Sequence, residues 1–73
     1  MKKIDDTKQL GLLIRSTRKR QNLTQEQLAA AAGVGVRFVR ELEQGKESCH
    51  LGKAMIVVSM LGLQLSILEE DTL

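Results

Sequence analysis

Apolar positions recur at helical spacing along most of this chain. Leu10, Leu13, Ile14 and Thr17 lie three and four residues apart and predict a first helix over about 7–21, with Asp6 as its cap and Gln9 reaching back from the first turn. Asn22 and Leu23 interrupt it. Thr24-Gln25-Glu26-Gln27 then reads as a capping box, with Leu23 and Leu28 placed for a hydrophobic staple. The run Ala29 to Ala32 favours helix and offers a smooth surface to a neighbour, and Gly33 stops a second helix at about 25–32. Gly33-Val34-Gly35 forms a turn whose single valine plugs the core. In a third helix over about 36–44, a rotation of about 100° per residue puts Phe38, Val39 and Leu42 inside and Arg37, Arg40, Glu41 and Gln44 opposite them. Gly45 stops it, and Lys46 to His50 is a polar connection. A fourth helix over about 51–61 has Leu51, Met55, Val58 and Leu61 at core spacing, Gly52 weakening its first turn and Gly62 ending it.

The period then changes. Leu63, Leu65 and Ile67 alternate with Gln64, Ser66 and Leu68, the pattern of a half-buried strand over about 63–68. A strand needs a partner for its backbone donors and acceptors, and no second strand is legible in the chain. The pairing is therefore expected between two copies, as a ribbon on a two-fold axis. The fold class that follows is mainly α: one domain over 1–73 with a compact set of four helices (five at most) and a C-terminal β-strand pairing in a dimer.

Composition removes several function classes. With one cysteine among 73 residues there is no disulfide, and Cys49 beside His50 is a poor start for a metal site, so neither a metal nor any other cofactor is expected. An enzyme is not expected either: there is no nucleophile–base pair, carboxylate dyad or phosphate-cradling glycine loop, and the one histidine has no visible partner. A single aromatic residue, Phe38, argues against a platform that stacks single-stranded bases. The N-terminal MKKIDDTKQ lacks the apolar centre of a signal peptide and no apolar run is long enough for a membrane span, which points to the cytoplasm.

Charge is more informative in its distribution than in its total of +2. Arg15, Arg18, Lys19 and Arg20 cluster at the end of the first helix, where they either complement its dipole or reach a phosphate backbone. Glu69, Glu70 and Asp71 make an acidic end, either solvated or set against a basic partner. His50 is expected at a helix start or in the loop before it and Cys49 half-buried, with Met55 and Met60 filling the core or a dimer contact.

The stretch LTQEQLA, then AGV, then V-x-x-LE-x-GK resembles the lambda-repressor-like (Cro/cI, or XRE) helix-turn-helix family over roughly residues 9–68. Within it, GVGVRFVRELEQGK followed by LGLQLSI is similar to the small HipB-type antitoxin regulators. The resemblance implies a homodimeric transcriptional repressor on double-stranded DNA with a palindromic operator, located in the cytoplasm at the nucleoid. For the HipB branch it also implies a partner from the HipA-like serine/threonine kinase toxins. It implies base readout by Val36, Arg37, Arg40 and Glu41, phosphate contacts from Thr24, Gln25, Gly35 and Lys46, and dimerisation through Leu63, Leu65 and Ile67. Gly35 and Val36 depart from the wider family, which commonly places polar side chains there, so readout is concentrated on the two arginines. Arginine can fork onto guanine O6 and N7, while Glu41 either accepts from cytosine N4 or orients Arg37, the reading we prefer. Two alternatives stand beside this: a stand-alone phage-type or restriction-modification controller repressor, and a protein-interaction module that docks through its C-terminal strand.

Overall fold

The computed structural model describes residues 3–69 of the chain and places four helices there: α1 (Thr7–Arg20), α2 (Gln25–Ala32), α3 (Val36–Glu43) and α4 (Leu51–Met60). Their starts follow local chemistry. Asp6 caps α1 by accepting from the Gln9 amide at 2.8 Å, while the Gln9 side chain takes the Asp5 amide at 2.7 Å, one residue earlier than a capping box requires. At α2 the box is complete, with Thr24 Oγ1 accepting from Gln27 N and Gln27 Oε1 from Thr24 N. His50 starts α4 by accepting the Lys53 amide on Nδ1 at 3.2 Å. Gly35 starts α3 with no side chain to cap it.

The helix ends share one device. A residue at positive φ follows each helix, and the next residue donates back to a carbonyl five positions earlier, as in Val34 N to Ala29 O at 3.0 Å after Gly33. After α1 the left-handed residue is Asn22 (φ 59°), the non-glycine type that best tolerates that region. At three of the four ends the donating residue is apolar (Leu23, Val34, Leu63) and packs partly against the core, so each stop also turns the chain inward.

One large side chain from every helix is fully buried: Ile14, Leu28, Val39 and Val57. Ala29, Leu42, Ala54, Val58 and Leu61 complete the core, with Leu10, Phe38 and Cys49 half-buried around it. On α4 the buried face overlaps the expected one in Val58 and Leu61 and departs from it at Leu51 and Met55. Ala54, Val57, Val58 and Leu61 point inward, whereas Leu51 is 69% and Met55 49% exposed. The cause is that residues 54–58 are apolar without interruption, so spacing cannot select a face. Packing selects it instead: α4 lies on α2, whose buried Ala29 and half-buried Ala32 favour close approach and so the small Ala54.

Among the described residues there is no β-strand. The stretch 63–69, expected to hold one at 63–68, is neither helix nor strand in the single chain, which offers its backbone no partner. Its side chains are largely in solvent, with Leu65 53%, Ile67 93% and Leu68 72% exposed. The acidic cluster reaches the described residues only at Glu69, since Glu70 and Asp71 lie outside them.

Candidate nucleic-acid interface

The segment of interest is α2, its turn and α3, and what fixes α3 is its contact with α1. Gly11 sits so close to the end of α3 that a Cβ there would lie 2.5 Å from Glu43 O and 2.6 Å from Leu42 O. Gly45 likewise leaves no room, since a Cβ would meet Lys8 Cα at 2.7 Å. Thr7 Oγ1 donates to Gly45 O at 2.8 Å across the same seam. The two helices thus meet backbone to backbone.

A buried ion pair closes the junction. Arg18 Nε donates to Glu43 Oε2 at 2.6 Å, Arg18 Nη2 to Glu43 Oε1 at 3.1 Å, and Arg18 Nη1 to Leu23 O at 2.7 Å. Gln25 Nε2 donates to Glu43 Oε1 at 3.1 Å. The carboxylate therefore ties the end of α1 and the first residue of α2 to the last of α3, and Arg18 adds the α1–α2 loop. Its hydrogen bonds raise the Arg18 pKa above an already high value, against the opposing effect of burial. Both side chains are nearly inaccessible, at 9% and 3%, and among the described residues no buried side-chain polar atom lacks a partner. Arg18 is consequently structural rather than a helix-dipole or phosphate residue. The sequence carried a signal for this: Arg18 lies four residues after Ile14 and Glu43 four after Val39, so both charges sit in register with buried apolar faces.

Held in this way, α3 turns Arg37, Arg40, Glu41 and Gln44 outward. Glu41 accepts from Arg37 Nε at 3.4 Å and lies 3.3 Å from Lys46 Nζ, so it is counter-ion to a helix cation and a loop cation together. The Lys46 contact, then the charges of Lys46 and Arg37, hold the Glu41 carboxyl below the usual glutamate range. The geometry is that of an orienting group. Arg37 itself is 84% exposed. Arg40 points elsewhere, toward α1, where it lines a groove with Lys8, Leu12, Arg15 and Gln44. Val36 is half-buried against the core, leaving only part of its side chain for a ligand. At Gly35 a Cβ would meet nothing, so the bare N-terminus of α3 is open. Thr24 is exposed while its oxygen serves the α2 cap, and Gln25 is half-buried with its amide on Glu43. Among the described residues no cluster of metal-ligating side chains occurs, and no helix is long and apolar enough to cross a membrane.

Comparison with known proteins agrees with this arrangement. A family model described as a helix-turn-helix domain matches residues 9–67. The chain belongs to the helix-turn-helix domain family. An uncharacterized HTH-type transcriptional regulator of Sinorhizobium fredii, y4mF, is 45% identical over 67 residues, covering 92% of this chain and 88% of that protein. Among solved structures, the helix-turn-helix protein of a HipB-O1-O2 complex superposes with a TM-score of 0.85 over 94% of this chain and all of that one, at 20% identity. A chain of a HipA-HipB-O2-O3 complex does so with a TM-score of 0.86 over 97% of this chain and all of that one, also at 20% identity. At that identity the likeness concerns the fold, which is mainly α, four-helix and HipB-like.

Proposed function

We propose that this helix-turn-helix protein is a sequence-specific transcriptional repressor that reads double-stranded DNA with α3 and is the autoregulating antitoxin of a toxin–antitoxin pair. The observation that carries the reading is the division of labour on α3. Its inner face is committed to a rigid core and a buried ion pair, while its outer face presents cations with no structural duty. An α-helix fits a major groove about 12 Å wide, with its partner helix across the backbone. Arg37 at the exposed N-terminal end of α3 and Arg40 at the α1-facing edge are the guanine readers, each good forked pair being worth about 1–3 kcal/mol of discrimination. Glu41 aims Arg37, and the exposed part of Val36 is limited to apolar contact such as a thymine methyl. Thr24, Gln25, the Gly35 amide and Lys46 meet phosphates around the helix.

Two copies act together in this reading. Residues 63–68 of each pair through Leu63, Leu65 and Ile67 into an antiparallel ribbon, which sets two copies of α3 in successive major grooves about 34 Å apart on a palindromic operator. The apolar exposure of Leu65, Ile67 and Leu68 supports this, because a two-fold ribbon would cover it. The toxin reading rests on resemblance: the antitoxin-like motif in the sequence and a fold shared with HipB, whose solved complexes include one with HipA. A HipA-like serine/threonine kinase is the partner it names. The test is selection of bound sequences from a random duplex pool, repeated with Arg37→Ala. A palindromic consensus that loses a guanine position in the variant supports the reading, and the absence of any enriched sequence sinks it.

A further inference from the structure

The groove between α1 and α3 lies outside the helix-turn-helix tip, and its net charge is positive. It has a volume of about 530 Å³ and is lined by Lys8, Leu12 and Arg15 from α1, Gln25 from α2, Arg40 from α3 and Gln44 just after it. The Arg18–Glu43 pair forms its base and carries no net charge. What remains is Lys8, Arg15 and Arg40. None of these has a carboxylate partner among the described residues, whereas Arg37 and Lys46 share Glu41. The least neutralised positive charge of this face is therefore in the groove, not on the exposed tip of α3.

We propose that this groove holds the sugar-phosphate backbone of duplex DNA flanking the base-reading contact. The inference rests on the DNA-binding reading above and adds Lys8 and Arg15 to its contacts. Three observations favour a polymer over a free anion. Lys8 and Arg15 are seven residues apart on one helix face, about 10.5 Å along the axis, so their charges are spread along the groove rather than gathered at one point. Leu12, 61% exposed, lies between them at helical spacing and supplies an apolar surface for a deoxyribose between charged groups. The groove also contains Gln25, the first residue of α2, so it continues from a position expected to touch phosphate. The walls are preset as well. The close backbone contacts at Gly11 and Gly45 fix the spacing of α1 and α3, so little ordering is needed on binding.

The test uses the full chain and Lys8→Ala/Arg15→Ala, both exposed positions, with helicity checked by circular dichroism. Affinity for the selected operator and for random duplex is measured from low to high salt. The expected result is that both affinities fall by the same factor and that the slope of log K against log salt becomes shallower by about 2, roughly one per phosphate contact. Lys8→Arg/Arg15→Lys should restore the slope. Three outcomes overturn the groove while leaving the DNA reading intact: a wild-type slope in the double alanine variant, a selective loss of operator over random duplex, or saturable binding of inorganic phosphate at the Lys8 and Arg15 amides with no change in slope. If the wild-type chain binds no duplex even at low salt, the DNA-binding reading itself fails.

Discussion

The two ends of this molecule handle exposed and buried chemistry in opposite ways. In the N-terminal part, α1, α2 and α3 are locked by glycine contacts and by an ion pair whose every hydrogen-bonding group is used, and Leu12 is the one large apolar side chain among them that is mostly in solvent. In the C-terminal part α4 contributes Ala54, Val57, Val58 and Leu61 to the core, yet leaves Leu51, Met55, Ile56 and Met60 about half exposed or more. The chain then continues into 63–69, with three large apolar side chains in solvent. A buried charge and an exposed apolar patch are the two informative exceptions to ordinary burial, and here they occur at opposite ends. The first is satisfied within the chain. The second is not, which is why a second protein chain is sought there, and only DNA at the N-terminal end.

The sharpest way to break this contrast is to remove one member of the buried pair. Glu43→Ala leaves Arg18 charged and enclosed, and breaking such a pair typically costs about 3–5 kcal/mol. For a domain of 73 residues that is a large part of the total stability. Urea unfolding should show the midpoint collapse, and DNA binding should be lost with the fold. Replacing Arg18 and Glu43 together by Met and Leu should cost much less, because no charge is then stranded. A double variant as unstable as Glu43→Ala would show that the lost hydrogen bonds to Leu23 and Gln25 matter more than the charge.

Next in size is Gly11→Ala. The added methyl would meet the backbone carbonyls of Leu42 and Glu43, which cannot rotate aside as a flexible side chain can. Overpacking of this kind costs about 1–3 kcal/mol. The same substitution at Gly35, where a Cβ meets nothing, should leave the unfolding midpoint nearly unchanged.

At the other end the expectation reverses. Leu65 is outside the core and about half exposed in the single chain, so for Leu65→Lys the unfolding free energy at high dilution should move by no more than about 0.5 kcal/mol. Its effect should appear in association, because a charge then falls on the apolar face of the ribbon. Light scattering at micromolar concentration should give a dimer for the wild type and a monomer for the variant. A variant that stays dimeric would move the interface to the outer face of α4.

How much of this was legible in the sequence follows the same division. The α2 capping box, the stops at Gly33, Gly45 and Gly62 and the outward α3 residues depend on local pattern, and the helix bounds follow it to within a residue. The lock between Arg18 and Glu43 was less legible, because the two are 25 positions apart and a basic residue near a helix end has a simpler local reading. The face of α4 was legible only in part: Val58 and Leu61 are buried as their spacing suggested, but 54–58 is apolar throughout, and the approach of α2 buries Ala54 and Val57 in place of Leu51 and Met55. At the candidate site, spacing put Arg37 and Arg40 on one outer face. It did not reveal that Arg37 shares Glu41 with Lys46 while Arg40 joins Lys8 and Arg15, since that depends on where α1 crosses.

The mildest perturbation concerns Glu41, which tests the outward surface without touching the lock. Its pKa is depressed in the folded chain, first by Lys46 and then by Arg37, so its contribution is present above the unfolded value and is lost as pH falls through the folded one. Because its pairs are with surface cations in contact with solvent, the change in stability should be slight. The change in charge should be easier to read. Protonation in the acid range, or Glu41→Gln at neutral pH, releases two cations from their shared counter-ion and leaves Arg37 without its guide. Affinity for random duplex should then rise while the preference for the operator over random duplex narrows. Operator preference that survives Glu41→Gln unchanged would mean that Arg37 needs no orientation from Glu41.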